Sequence, residues 1–189
     1  MGTWVSGGRD FARMEVDPDA TPWSGAAMTL SREETATAYA RHQALHEGRR
    51  WTDLADLFRE DGTYEEPFFG RIEGREAIRE FLRVSMRGLD EWTFPIQWVV
   101  VGEGRVVTQW FNRLPKLRRD GSPFQFSGMT NLLYDDEGMI VSQDDTYDRI
   151  GAARVLSEAQ SSALERFNGA VIRAGSPMVA LAKRMSGYG

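Results

Sequence analysis

Two short runs in this 189-residue chain set carboxylates beside aromatic rings: Tyr64-Glu65-Glu66-Pro67-Phe68 and Gln143-Asp144-Asp145-Thr146-Tyr147. In extended backbone, residues two apart share a face. Tyr64, Glu66 and Phe68 then lie together, with Glu65 opposite. Gln143, Asp145 and Tyr147 form a second set, opposite Asp144 and Thr146. A carboxylate among aromatic rings loses hydration and becomes a better proton acceptor than one in water. The chemistry these residue types suit is general acid–base catalysis, which needs neither metal nor cofactor when proton affinities and donors are well matched.

Other chemistries are disfavoured by composition. There is no cysteine, which excludes disulfides, thiolate nucleophiles and Cys-ligated metals. Only two histidines occur, His42 and His46, too few for a His-rich metal centre. With 28 acidic residues against 23 Lys and Arg, and no dense basic block, nucleic acid is not an expected partner. No apolar run approaches the ~20 residues that span a bilayer, and residues 1–17 lack a secretory layout. A cytoplasmic protein without membrane contact is expected.

The elements that would position these residues follow from periodicity and punctuation. Residues 1–30 read as an arm, with Trp4, Phe11 and Trp23 available to dock. Ser31 with Glu33 and Glu34 resembles a capping box and opens a helix through Tyr39, His42 and His46 that stops near Gly48. Trp51, Leu54, Ala55 and Phe58 are spaced as a second helix ending at Asp61-Gly62. Thr63–Phe69 reads as a strand that Pro67 demotes to an edge or a bend. A third helix, Glu76–Met86, carries Ile78, Phe81 and Leu82, with Gly88 as its stop.

Alternation then takes over. Thr93–Val101 and Arg105–Leu114 flank Gly102-Glu103-Gly104, and Phe124–Tyr134 and Met139–Tyr147 flank Asp135–Gly138: two hairpins joined by a polar connection over Pro115–Pro123. The aromatics Phe94, Trp98, Trp110, Phe111, Phe124 and Phe126 read as core and pocket wall. Helix resumes after Asp148 through Val155, Leu164 and Phe167, breaks at Gly175-Ser176-Pro177, and returns over Met178–Met185. The fold class is α+β: a curved antiparallel sheet with three N-terminal helices, forming a cone with an interior pocket, plus a C-terminal helical extension. The expected division is an arm at 1–30, a cone domain at 31–148 and the extension at 149–189.

The run from Leu57 to Leu82 resembles a family signature. Leu57-Phe58, Asp61, Glu65-Glu66-Pro67, Gly74 and Ala77-Ile78-Arg79-Glu80-Phe81 are similar to the ketosteroid isomerases and SnoaL-like polyketide cyclases of the cone-shaped, nuclear transport factor-like superfamily. The resemblance, covering roughly 31–148, implies that Glu66 is the catalytic base, a Glu where the isomerases carry Asp. It places the isomerases' protonated aspartate near Thr130 and their helix-one tyrosine on His42, with Tyr39 a turn earlier, so the usual oxyanion hole is absent. The terminal strand resembles that of polyketide cyclases and limonene-type epoxide hydrolases, which implies that Gln143, Asp145 and Tyr147 point inward and that Asp145 is the acid or second base. Two carboxyls in one apolar cavity repel, so one can serve as acid and the other as base. The hydrolases' strand-four aspartate and arginine fall on Gln109 and Val107.

The expected function is cofactor-independent isomerisation, cyclisation or dehydration of an apolar oxygenated molecule such as a polyketide, terpenoid or steroid. Tyr64, Tyr39, His42, Gln109, Asn131 and Tyr147 are expected as hydrogen-bonding supports, and Trp110 and Phe126 as pocket wall. The alternatives are a non-catalytic module that holds a lipophilic ligand or a partner, and an epoxide-opening hydrolase or cyclase. A homodimer paired through the outer sheet face is implied by resemblance. The extension is expected to cover the pocket mouth or swap over a partner.

Overall fold

The structure is a computed structural model that describes residues 30–164, with side chains to 160. The expected arm, the break at Gly175-Ser176-Pro177 and the helix Met178–Met185 lie outside the described residues.

Helix α1, Arg32–Glu47, starts on the Ser31 cap: the Ser31 hydroxyl accepts from the Glu34 amide while the Glu34 carboxylate accepts from the Ser31 amide. Thr35, fully buried, ties this helix to the sheet, because its hydroxyl donates to the Ser31 carbonyl and accepts from the Gly104 amide. A 3₁₀ helix, Trp51–Leu57, follows, then β1 (Phe58–Glu66), β2 (Gly70–Glu73) and α2 (Arg75–Ser85). Four more strands complete the sheet: β3 (Ile96–Val101), β4 (Arg105–Leu117), β5 (Pro123–Tyr134) and β6 (Ile140–Tyr147). Helix α3 spans Arg149–Leu164.

The six strands form one curved sheet in the order β2-β1-β6-β5-β4-β3. Neighbours are antiparallel except β1 and β6, which run parallel. The α+β class holds, and the sheet is mixed where the sequence suggested an antiparallel one.

Two expectations near β1 are corrected. The second helix ends at Leu57 rather than at Asp61-Gly62, and Phe58 opens a strand. Phe58 is 1% exposed, so it satisfies an apolar face in either conformation, and its spacing from Leu54 and Ala55 mimicked a helix. β1 is also internal, hydrogen-bonded to β2 and β6, and not an edge. It stops at Glu66, which leaves Pro67 in the turn, where the missing amide costs the ladder nothing. Between Phe58↔Ile140 and Thr63↔Ser142 the strand bulges. Gly62 sits in that bulge, where a Cβ would stand 3.1 Å from the Ile140 carbonyl oxygen.

Two apolar clusters hold the layers together. One joins α1, α2 and the sheet through Ala38, Tyr39, Phe58, Ile78, Val106, Leu132 and Ile140. The other seats Ala152, Ala153 and Leu156 of α3 on Trp92, Leu114, Phe124 and Phe126. The described part of the expected extension thus packs on this chain's own sheet. Trp98, expected in the core, is 41% exposed. Among the described residues, no helix is long and apolar enough to cross a membrane.

Gly128 of β5 stands between Trp110 of β4 and Tyr147 of β6 in register. The Trp110 ring lies across it, so an added Cβ would fall 2.3 Å from the indole. Gly128→Ala is therefore expected to push Trp110 aside and cost about 1–3 kcal/mol of stability, the usual range for overpacking. Chemical denaturation measures the loss, and a shifted Trp110 indole N–H resonance marks its cause.

Candidate functional site

Between the concave sheet face and the helices lies a cavity of about 140 Å³. Its register rows follow from strand pairing. Thr108, Thr130 and Asp145 form one row across β4, β5 and β6; Trp110, Gly128 and Tyr147 form the next. Thr108, Thr130, Asp145, Trp110 and Tyr147 all line the cavity, joined from β1 by Tyr64 and Glu66.

The two carboxylates are held by a crossed pair of bonds between parallel strands. Tyr64 on β1 donates its hydroxyl to Asp145 Oδ2 on β6 at 2.7 Å. Tyr147 on β6 donates to Glu66 Oε1 on β1. Each tyrosine lies two residues from a carboxylate on its own strand and bonds the one on the other. Asp145 Oδ1 further accepts from Thr130 at 2.7 Å and from Gln143 Nε2 at 3.3 Å. The Trp110 indole donates to Thr130 Oγ1 at 2.7 Å. Because an indole only donates, the Thr130 proton must point to Asp145, which fixes the direction of the chain. Glu66, 5% exposed, also accepts the Phe68 and Phe69 amides on Oε2, at 2.7 and 2.9 Å. Its carboxylate thereby closes the turn that Pro67 begins.

Electrostatics separate these groups. Withdrawal from bulk water pushes the Asp145 carboxyl up to about 6, against the pull of its Tyr64, Thr130 and Gln143 donors, with the Glu66 charge adding to the rise. Burial, then the facing carboxylates, hold the Tyr64 and Tyr147 hydroxyls protonated far above the normal phenol range. Both are donors at any working pH.

On the helix side, Tyr39, His42 and His46 stack along α1, with ring centroids 5.8 and 6.4 Å apart. His46 also meets Trp51 and Phe94 edge-on. Burial, then the neighbouring His46, lowers His42 to about 3, with Gln143 opposing; burial, then the Arg49 charge, lowers His46 to about 4. Both imidazoles are neutral near pH 7. The unfolded chain protonates them near pH 6.5, so the stability tied to their neutrality is present above that value and lost as pH falls toward 3–4. Asp145 acts oppositely. Raised above 3.8, it makes the fold bind more protons than the unfolded chain between about 4 and 6, and that contribution is lost as pH rises. His46→Phe keeps the edge-on contacts and removes one titration. Urea denaturation is expected to show the stability loss between pH 7.5 and 4.5 shrinking by on the order of 2 kcal/mol.

Of the residues singled out by sequence, Glu66, Asp145, Tyr64, Tyr39, His42, Tyr147 and Trp110 line the cavity. Phe126 stands behind it, tilted against the Tyr147 ring at 5.5 Å. Gln109 and Asn131 do not reach the cavity, and their placement is corrected. Gln109 alternates with the inward Thr108 and Trp110, and Asn131 pairs with Asp144, to which it donates at 3.1 Å on the outer face. Sequence reading missed Asn112, a buried cavity residue two positions beyond Trp110; Thr130, where the resemblance placed the isomerases' protonated aspartate, and His46 also line the cavity. The parity of Trp110 was the available signal for Asn112. Among the described residues, no group of three His, Asp or Glu side chains is arranged to hold a metal.

The comparisons agree with this architecture. No curated protein matches the sequence. A LEH-like epoxide hydrolase of M. tuberculosis is 19% identical, with a TM-score of 0.56 over 71% of this chain and 98% of that one. A candidate SnoaL-like polyketide cyclase from Shewanella putrefaciens CN-32 is 14% identical, with a TM-score of 0.54 over 66% and 86%. A candidate ketosteroid isomerase from Kribbella flavida DSM 17836 is 20% identical, with a TM-score of 0.50 over 66% and 82%. At these identities the likeness is one of fold. The model of the SnoaL-like domain matches residues 36–143, which run from α1 into β6 and take in most of α1, α2, the bulged β1 and most of the cavity wall, and stop short of Asp145, Tyr147 and α3. With more than half the sequence matched, the chain belongs to the SnoaL-like domain family.

Proposed function

We propose that this protein is a cofactor-independent acid–base enzyme that moves a proton on a small, apolar, oxygenated ring compound. One observation carries the reading: the Asp145 carboxyl, brought to about 6, stands in the wall of an apolar cavity with its donors already in place. A base of that proton affinity is half-ionised just below neutral pH, where it can both take and return a proton. Asp145 accepts a proton from a carbon next to or conjugated with a carbonyl, the electron pair moves to the carbonyl oxygen, and the proton returns to the same or another carbon. Glu66, expected from sequence to be the base, holds the two backbone amides of its own turn on one oxygen and Tyr147 on the other, whereas the donors to Asp145 are side chains only. The proposed role of Glu66 is to fix the Pro67 turn and to keep negative charge near Asp145.

Exchange in heavy water is the test. Single-ring ketones and enones incubated with the enzyme should gain deuterium at the activated carbon, read by mass spectrometry. A panel without enzyme-dependent exchange would overturn the reading.

A second reading, a ligand-holding module without turnover, is favoured by one feature. Every oxygen of both carboxylates already has a donor within the protein, as in a purely structural network. That reading predicts binding without exchange. Epoxide opening draws less support, since Val107 and Gln109, where the hydrolases' arginine and aspartate fall, carry neither group and alternate with the inward Thr108.

A further inference from the structure

Most donors at the reactive end of the cavity are spent. The Tyr64 and Thr130 hydroxyls serve Asp145, the Tyr147 hydroxyl serves Glu66, and the Trp110 indole serves Thr130. A substrate carbonyl arriving there would find these donors already engaged. Further along β4 stands a different group. Asn112 is 7% exposed, lines the cavity, and its carboxamide makes no hydrogen bond to another described residue. It is the inward residue after Trp110, paired with Phe126, so it lies one row beyond Tyr147 and two beyond Asp145. A buried amide without a partner costs free energy unless something fills the place. Leu89 and Met86 also line the cavity. The volume is small as well: about 140 Å³ compares with cavities of about 150 Å³ that hold one benzene.

We infer that Asn112 is the carbonyl-binding group of this site and that the ligand it selects is a single-ring ketone, its oxygen at the Asn112 amide and its ring carbons directed toward Tyr147 and Asp145. This rests on the proposed acid–base reading and names its substrate class. When a proton leaves the ring, charge grows on that oxygen, and a fixed amide donor in an apolar surround is the group placed to receive it.

The test compares two probes of the same shape, cyclohexanone and methylenecyclohexane, which differ only in C=O against C=CH₂. Both are titrated by NMR into wild type and Asn112→Leu. Wild type should prefer the ketone, because the hydrocarbon leaves the amide unpaired. Asn112→Leu should lose ketone affinity and gain hydrocarbon affinity, changing their ratio by about tenfold or more. In wild type, the Asn112 side-chain amide signals should move with the ketone and stay still with the hydrocarbon, a readout that needs no variant to fold. An unchanged ratio in Asn112→Leu, still amide signals under saturating ketone, or no binding of either probe overturns the inference. An unchanged ratio alongside deuterium exchange that disappears in Asp145→Asn leaves the acid–base reading standing and removes Asn112 from it. Ketone bound at Asn112 with no exchange in any panel member does the reverse.

Discussion

Asp145→Asn is expected to lower deuterium exchange on a responsive single-ring ketone by about 10²–10⁴-fold, the range a general base contributes. Asparagine keeps the size of the side chain and, with its one oxygen toward Thr130, still accepts there, while the Tyr64 hydroxyl must turn to accept from the new amide NH2, so the cavity should keep its shape. What it lacks is a site that binds and releases a proton. Ligand affinity is expected to change little, which separates lost chemistry from lost binding. The pH profile gives a second check with a defined sign. The base works when ionised, so the wild-type rate should climb as pH rises through about 6 and then level off. The residual rate of Asp145→Asn should show no step there. A variant that exchanges within about tenfold of wild type would remove Asp145 from the proton path.

The local features of this fold were legible because each is written in a few adjacent residues. Ser31 and Glu34 cap α1, Gly102–Gly104 and Asp135–Gly138 turn the two hairpins, and parity along β6 groups Gln143, Asp145 and Tyr147. What stayed illegible was register. Gln109 and Trp110 were both expected at the cavity, yet adjacent strand residues cannot share a face. The choice between Thr130 and Asn131 depends on which of them stands opposite Asp145, and that is settled by strand pairing 15 residues away. The start of β1 was lost for a related reason. A buried phenylalanine after Leu54 and Ala55 suits a helix as well as a strand, and the bulge that follows has no periodic pattern of its own. The crossed bonds from Tyr64 to Asp145 and from Tyr147 to Glu66 join residues 81 apart. They exist only because β1 lies parallel beside β6, an adjacency that no local pattern shows.

That adjacency makes a prediction about stability which needs no substrate. Glu66→Ala removes the acceptor of the Phe68 and Phe69 amides and of the Tyr147 hydroxyl. An unsatisfied buried polar group costs about 1–3 kcal/mol, and water can replace the acceptor at the exposed Phe69, so a total near 2–4 kcal/mol is expected after partial relaxation of the turn. Glu66→Gln leaves an acceptor oxygen and should cost about half as much. Tyr147→Phe deletes the hydroxyl donor along with its own need for a partner. In the Glu66→Ala background it should therefore be less harmful than in wild type, with a coupling of about 1–2 kcal/mol in a double-mutant cycle read by denaturant unfolding. The same cycle between Glu66 and Tyr64 should give little direct hydrogen-bond coupling, because Tyr64 bonds Asp145. Equal coupling for both tyrosines would mean that the two pairs act as one undivided cluster. Selective coupling to Tyr147 would establish that the two side-chain bonds across the parallel β1–β6 seam act separately, with Glu66 and Tyr147 forming one unit and Tyr64 and Asp145 another.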